Sequence, residues 1–332
     1  MAVKKTLGIN NKKNDENMAN KPPLRRHSRV KQLAYFAAFA ARSRLNKNYK
    51  KPLLCSFKLT GNCNLKCLHC PFWKTEKPAD MNYFEVTSML QMLYMDGVRI
   101  VIFEGGEPLL WKDRKNNKDI GDVICYAQKL FFCTGVTTNG TINLEKFGPD
   151  IFFISIDGLE ETHDRIRGKS FKKIIENLEK NLRSKKIITN ICISKANYNE
   201  LEETIKFLNN RVYGTTIQFF YPYEGLDDDL RLSNSEKDEV LKKLLGLKKQ
   251  GYKILDSASC LKRIAHNTWR CSDFLVSSVE QDGTVSYGCY LKNKVDNVLC
   301  SECGFAVHCE ISLAYNLDID ALKTAKVVFW DS

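Results

Sequence analysis

Apolar runs of strand length alternate with segments of helix length from residue 53 onward. The predicted strands are 53–59, 98–103, 135–138, 151–156, 187–194 and 216–221. The predicted helices are 83–95, 120–130, 172–182, 201–209 and 233–249. Repeated alternation of strands and helices predicts a parallel sheet with helices outside it. The sequence therefore favours the α/β class.

Three cysteines with the spacing CxxxCxxC follow the first predicted strand, at Cys63, Cys67 and Cys70. Thiolates select zinc, copper or iron-sulfur clusters, and a closed zinc site needs a fourth ligand at short range. His69 lies between the last two cysteines and is poorly placed to join the same centre. The run is otherwise polar, which favours ligands over core residues. Three thiolates leave one iron of a four-iron cluster open to a substrate.

Polar side chains follow the next predicted strands. Phe103-Glu-Gly-Gly-Glu-Pro108 comes directly after the second strand, and its glycines allow a close backbone approach while its second glutamate offers an acceptor for an ammonium. Asn139, Ser155 and Asp157 stand at the ends of the following strands. Parallel barrels place active sites at these strand ends, although such residues also serve as caps and turn formers.

The motifs together resemble the radical S-adenosylmethionine (radical SAM) enzymes over about residues 52–222. The segment His163-Asp-Arg-Ile-Arg-Gly168 is similar to the HDxxRG motif of a branch with peptide-modifying maturases and sulfatase activators. The resemblance implies a partial (β/α)6 TIM-like barrel whose cysteine loop holds a 4Fe-4S cluster. It also implies that S-adenosylmethionine binds the open iron. An electron from a donor such as ferredoxin or flavodoxin then yields a 5'-deoxyadenosyl radical, which abstracts hydrogen or adds to a double bond.

The resemblance also implies roles for single residues around S-adenosylmethionine. Gly105, Gly106 and Glu107 match the motif that binds its amino group, and His69 matches the position before the third cysteine. Asn139, Ser155, Asp157 and Arg167 are candidates for contacts to its ribose or carboxylate. No catalytic residue beyond the cluster is assigned. The substrate stays open among a peptide or protein, a lipid and a small molecule.

A second group of cysteines lies near the end of the sequence, at Cys271, Cys289, Cys300, Cys303 and Cys309. Their spacing resembles the SPASM or twitch auxiliary-cluster domain of the same branch, but Leu313 replaces a later cysteine and none follows Cys309. The resemblance therefore implies one auxiliary iron-sulfur cluster, held by Cys300, Cys303 and Cys309 with Cys289 or Cys271 as the fourth ligand. A structural zinc site that includes His308 is the alternative.

The predicted regions are a disordered basic tail (1–24), a basic helical arm (25–51), the barrel (52–255) and the auxiliary-cluster domain (256–332). The net charge of +12 lies entirely in the first 51 residues. The arm can pack on the barrel, bind an anionic membrane surface through Tyr35, Phe36 and Phe39, or contact nucleic acid, for which no binding module is recognised. A non-catalytic zinc- or iron-sulfur-binding regulator that contacts nucleic acid is the alternative function.

Thirteen cysteines without a signal peptide predict a reducing cytoplasm, and an open cluster predicts oxygen sensitivity. The longest weakly polar stretch, 33–41, is far shorter than the roughly 20 residues that span a bilayer. The predicted location is therefore cytoplasmic, with the inner membrane face as the peripheral alternative.

Overall fold

A computed structural model describes residues 27–74, 79–226, 228–292 and 294–330. Its strands are β1 (Leu54–Thr60), β2 (Ile100–Gly105), β3 (Lys112–Asp113), β4 (Lys118–Asp119), β5 (Cys133–Thr138), β6 (Ile151–Ser155), β7 (Ile187–Ile193), β8 (Gly214–Phe219), β9 (Val276–Val279) and β10 (Val285–Tyr287). Its α-helices are α1 (Arg29–Leu45), α2 (Tyr83–Asp96), α3 (Ile120–Ala127), α4 (Glu160–Arg167), α5 (Phe171–Asn181), α6 (Leu201–Leu208), α7 (Asn234–Lys249), α8 (Ala258–Ile264), α9 (Ala306–Tyr315) and α10 (Ile319–Phe329).

One large sheet runs in the order β10-β9-β1-β2-β5-β6-β7-β8. Strands β1, β2, β5, β6, β7 and β8 are parallel neighbours and correspond to the six strands expected from the sequence. The α/β class is confirmed. Within the described residues β8 and β10 form the two edges of the sheet, so it is an open, partial barrel.

Alternate residues of each strand face two different environments. On β1, Phe57 and Leu59 pack toward the surrounding helices, whereas Leu54 belongs to a separate apolar cluster inside the barrel. That inner cluster takes a residue from each of several strands and one from α10: Leu54, Ile100, Cys133, Ile151, Ile188, Val276 and Val328. It lies at the amino ends of the strands, and polar side chains continue above it toward the carboxyl ends.

The segment after residue 255 continues the barrel's own sheet and core. Strand β9 pairs in parallel with β1, and β10 pairs antiparallel with β9. Cys260, Leu261, Ala306 and Cys309 share the main apolar core with the barrel. The sequence reading missed the two short strands and helices α8 to α10. The boundary at 255 and the separate domain stay predictions.

Helix α1 begins at Arg29 and ends at Leu45, within the predicted arm, and it packs against the barrel. The Tyr35 hydroxyl donates a 2.8 Å hydrogen bond to the carbonyl of Gly97. The Arg99 guanidinium lies 4.2 Å from the ring centroids of both Tyr35 and Tyr94. Phe39 is buried. The tail predicted at 1–24 lies outside the described residues.

No helix in the described ranges has the length and apolar character that crossing a membrane requires. Membrane attachment of the arm was predicted from Tyr35, Phe36 and Phe39. The first two contact Phe132, and Phe39 contacts Tyr49. The membrane contact therefore stays a prediction that these three rings do not support.

Candidate functional site

The cysteine loop leaves the end of β1 and is bound to two neighbouring segments. The amide of Gly106 donates to the carbonyl of Thr60 at 2.8 Å, and the amide of Glu107 donates to that of Asn62 at 2.7 Å. On the other side, the amide of Leu68 donates to the carbonyl of Ile166 in α4 at 2.8 Å. The loop is thereby held between the end of β2 and the HDxxRG helix.

The two glycines of the GGEP motif make room for the cysteine loop. A Cβ at Gly105 would lie 2.3 Å from the carbonyl oxygen of Thr60, and one at Gly106 would lie 2.2 Å from that of Asn62. Gly105 also has a φ of +135°, which L side chains rarely adopt. The close backbone approach expected from the sequence is therefore an approach of the GGEP motif to the cysteine loop.

Gly106→Ala is expected to displace the cysteine loop, because its methyl group would overlap backbone rather than a flexible side chain. We expect it to destabilise the fold by about 1–3 kcal/mol, typical of overpacking, and to lower iron incorporation at the loop. Gly148→Ala is the matched control, since nothing lies within 4 Å of its Cβ position. Denaturant unfolding and iron analysis measure both effects. Equal behaviour of the two variants would contradict this role for Gly106.

Glu107 is fully buried and joins the end of β2 to the end of β5. Its carboxylate accepts hydrogen bonds from Thr138 Oγ1 at 2.7 Å, the amide of Asn139 at 2.8 Å and the amide of Leu109 at 3.1 Å. Burial raises the pKa of Glu107 to about 7, against the opposing effect of these donors. A carboxylate has about four acceptor positions, so one remains for an ammonium group.

Asn139 connects the end of β5 to the cysteine loop. Its side-chain amide donates to Asn64 Oδ1 at 2.8 Å, and Asn64 in turn donates to Thr141 Oγ1 at 2.8 Å. Ser155 is buried at the end of β6, beside Asn190 of β7. Sequence reasoning missed Asn64, although its position inside the CxxxCxxC run was a usable signal.

Asp157 and Arg167 form a buried ion pair through Asp157 Oδ2 and Arg167 Nε. Asp157 also accepts a hydrogen bond from the amide of Cys192 at 2.8 Å. Burial alone would raise the pKa of Asp157, but Arg167 and the other donors hold it below its usual range. The same guanidinium lies 3.8 Å from Cys67 Sγ and 3.4 Å from His69 Nε2. A cation is therefore fixed against the second cysteine.

Two other residues of the HDxxRG segment have structural partners. His163 Nδ1 accepts a 3.2 Å hydrogen bond from the amide of Asp157, which orients the end of β6. Asp164 Oδ1 accepts from the amides of Ser170 and Phe171, both at 2.9 Å, where α5 begins. The motif lies largely on helix α4, which the sequence reading did not predict.

The three cysteines of the loop are close enough to affect one another. Burial raises the pKa of Cys67 to about 11, Arg167 opposes this rise, and Cys70 and Cys63 add to it. Without a metal, Cys67 is therefore a neutral thiol. Three clustered sulfurs beside a buried cation suit an anionic thiolate cluster. This donor set fits the predicted 4Fe-4S group.

Among the described residues, no group of three or more His, Cys, Asp or Glu side chains is arranged around a single ion. That finding concerns ligands that converge on one metal atom. In a four-iron cluster each thiolate binds a different iron.

The cysteines of the second group influence one another. Burial, with Cys303, Cys289 and Cys300 adding to it, raises the pKa of Cys271 to about 12, so these four thiols lie near one another. Cys309 is fully buried beside Cys260, and it also raises the pKa of Cys303. The predicted set with Cys309 as a ligand stays a prediction.

The fold and the cysteine loop are typical of a class of α/β-barrel enzymes, and comparisons with known proteins support this class. The radical SAM superfamily pattern matches residues 57–208. Fe-coproporphyrin III synthase of Methanosarcina barkeri is 25% identical over 61% of this chain and 54% of its own length. Sporulation killing factor maturation protein SkfB of Bacillus subtilis is 28% identical over 47% of this chain and 39% of its own.

Solved structures show the same fold. SuiB of Streptococcus suis, bound to S-adenosylmethionine, superposes with a TM-score of 0.64 at 16% identity, covering 82% of this chain and 68% of that one. Residues 57–208 match the radical SAM superfamily, and the cofactors that this match supports are a 4Fe-4S cluster and S-adenosylmethionine. It spans about half the length of the curated relatives that it matches.

Proposed function

We propose that this protein reductively cleaves S-adenosylmethionine and uses the resulting radical to modify a substrate by hydrogen abstraction or radical addition. The observation that carries the proposal is the convergence of three separate motifs on one loop. The GGEP backbone binds residues 60–62, Asn139 binds Asn64, and Arg167 lies against Cys67. None of these contacts is local in sequence.

Each residue has a stated role in the proposal. Cys63, Cys67 and Cys70 hold the cluster, which together with S-adenosylmethionine supplies a 5'-deoxyadenosyl radical. Arg167 balances the negative charge of the thiolates and orients His69. Glu107 offers its remaining acceptor position to the amino group of S-adenosylmethionine. Asn139, Ser155 and Asp157 surround the same strand ends, with Asp157 acting through Arg167.

Iron, sulfide and zinc content after anaerobic reconstitution tests the proposed clusters. We expect about eight irons in the wild type and about four when Cys63, Cys67 and Cys70 are all replaced by Ala. Zinc with little iron would instead support the regulator alternative, which the relatives named above do not suggest. The nucleic-acid contact of that alternative has no observation in its favour.

We propose Cys271, Cys289, Cys300 and Cys303 as the ligands of the auxiliary cluster. The mutual influence of these four thiols supports the set, and a four-iron cluster takes four thiolates. Cys309 instead contacts Cys260 inside the main core. Zinc remains the alternative metal for the same four thiolates.

Cys303→Ala is expected to lower the iron content by about four atoms, since it removes one of four thiolates. Cys309→Ala should keep that iron and only destabilise the core, by about 1 kcal/mol or more for the cavity. Iron analysis of both reconstituted variants decides between the two ligand sets. Loss of four irons in Cys309→Ala with retention in Cys303→Ala would restore the set expected from the sequence.

An electron donor such as ferredoxin or flavodoxin is part of the proposal. Arg44 and Lys50 of the arm line a groove with Arg270 and Cys271. Cys271 is exposed there. Acidic carrier proteins are steered to basic surfaces by charge complementarity. In this proposal the basic residues of the arm bind the electron donor rather than a membrane surface.

For the substrate we propose only a chemical class. SuiB has been solved bound to the precursor peptide SuiA, and SkfB is a maturation protein, whereas another relative is a coproporphyrin synthase. Peptides and tetrapyrrole-like small molecules are therefore the first substrates to test. A lipid is the third candidate and has no relative among these in its support.

A further inference from the structure

Charged side chains occupy the barrel interior above its apolar base. Strand periodicity places Ser56 and Lys58 of β1 on the inner face with Leu54, and Glu104 of β2 with Ile100. On β9, Ser278 and then Glu280 follow the inward-facing Val276 in the same way. A sixth side chain, that of Lys294, enters from the loop after β10.

Glu280 lies between two ammonium groups. Lys58 Nζ donates a 2.7 Å hydrogen bond to Glu280 Oε2, and Lys294 Nζ lies 3.2 Å from Glu280 Oε1. The side chains of Lys58 and Lys294 are only 10% and 4% exposed. Glu104 is engaged separately, by a hydrogen bond from Ser56 Oγ. The Glu280 carboxylate therefore contacts the ammonium groups of two buried lysines.

Two polar atoms of this interior lack a well-oriented hydrogen bond. Within the described residues, Ser278 Oγ is buried without a partner, and Lys294 Nζ, although 3.2 Å from Glu280 Oε1, makes no hydrogen bond of regular geometry. An ammonium carries three donors, and buried polar groups in native proteins are nearly always paired. Burial and the charge of Lys58 lower the pKa of Lys294 to about 8, against the opposing effect of Glu104 and Glu280. Lys294 therefore has donors that Glu280 does not fully satisfy.

The same lysines border the cysteine loop. Lys58 Nζ lies 4.3 Å from the ring centroid of Phe72, two residues after Cys70. Lys294 Nζ lies 3.2 Å from the ring centroid of Tyr290. Lys58 Nζ also lies 6.0 Å from the ring centroid of Tyr290, so the two lysines share this aromatic neighbour. The two lysines therefore lie among aromatic rings next to the cysteine loop.

We propose that Lys58 and Lys294 bind an anionic group of the substrate, a carboxylate or a phosphate, inside the barrel beside the cysteine loop. The assignment of this anion to the substrate rests on the proposed function. An incoming anion supplies an acceptor for the Lys294 donors that Glu280 does not satisfy, and for the hydroxyl of Ser278. The aromatic walls of Phe72 and Tyr290 limit competing water, which strengthens the interaction.

A purely structural ion pair would explain less. The Lys58 to Glu280 hydrogen bond by itself links β1 to the segment after β9. It leaves the hydroxyl of Ser278 and the poorly oriented contact of Lys294 with Glu280 without an explanation. Buried polar groups that a fold leaves unsatisfied call for a further partner, such as a bound ligand.

Calorimetric titration of the reconstituted protein with sodium phosphate and, separately, sodium acetate tests the site, with chloride adjusted to keep ionic strength constant. We expect the wild type to bind at least one of the two anions and Lys294→Met to bind it at least tenfold more weakly. Lys294→Met keeps Glu280 paired with Lys58, so the variant retains the interior hydrogen bond. Lys206→Met, which removes an exposed ion pair with Glu202, should bind as the wild type does.

Each outcome has a consequence. Binding of phosphate alone or acetate alone identifies the anionic group, and binding of both supports the shared site. No binding of either anion by the wild type, or equal affinity in Lys294→Met, overturns the inference. The titration uses no reductant, so it is independent of S-adenosylmethionine cleavage. Anion binding without cleavage would refute the proposed function alone, and cleavage without anion binding would refute this inference alone.

Discussion

Cys67→Ala is expected to abolish reductive cleavage of S-adenosylmethionine, with a loss of at least about a hundredfold, since even outer partners of metal ligands contribute 10- to 100-fold. Cys67 is the most buried of the three loop cysteines and the one that Arg167 contacts. Removing its thiolate leaves two ligands for the cluster and takes one contact away from the Arg167 guanidinium. Formation of 5'-deoxyadenosine after reduction by dithionite measures the effect.

Cys125→Ala is the matched control for that experiment. Cys125 is an exposed cysteine on α3, outside both cysteine groups. It should retain wild-type iron content and cleavage. Circular dichroism of Cys67→Ala should match the wild type, which separates a lost cluster from a lost fold. Retained cleavage in a folded Cys67→Ala variant would contradict the assignment of this cysteine.

Asp157→Asn is expected to destabilise the protein by about 3–5 kcal/mol, the usual cost of breaking a buried ion pair on one side. The change leaves Arg167 buried without its counter-charge and weakens the acceptor for the amide of Cys192. Arg167 then loses its orientation toward Cys67, so iron incorporation should fall as well. Glu202→Gln, at an exposed ion pair, should change stability by less than about 1 kcal/mol.

The effect of Asp157→Asn should depend on pH in a defined direction. Although burial opposes it, Arg167 and the other partners hold the pKa of Asp157 below its usual range. The carboxylate therefore contributes stability above its unfolded pKa, and that contribution is lost as the pH falls through its folded pKa. Unfolding free energies of the wild type and the variant should converge at acid pH. A difference that grows on acidification would contradict the ion-pair account.

Much of the barrel was predictable from the sequence because its strands are buried on both faces. Runs such as Ile187–Ile193 are mostly apolar, and the α/β alternation leaves few other arrangements. Helix α4 was missed because Glu160–Arg167 is short and strongly charged, so it lacks the usual apolar periodicity. Strand β10 has three residues, too few for a periodic signal.

The site was predictable as a set of motifs, but its internal contacts were not. Spacing alone predicted that Cys63, Cys67 and Cys70 share a centre, whereas the link from Arg167 to Cys67 joins residues one hundred positions apart. The pairing of Cys309 with Cys260 likewise depends on how α8 and α9 pack. Lys294 gave no signal, because a single lysine in a loop resembles any solvated residue.

The most direct test of the central claim is the product analysis of the unmodified protein, reconstituted anaerobically and reduced with dithionite in the presence of S-adenosylmethionine. The account predicts 5'-deoxyadenosine and methionine in equal amounts, formed only when reductant is present. A reconstituted protein that holds about eight irons yet releases neither product would contradict it.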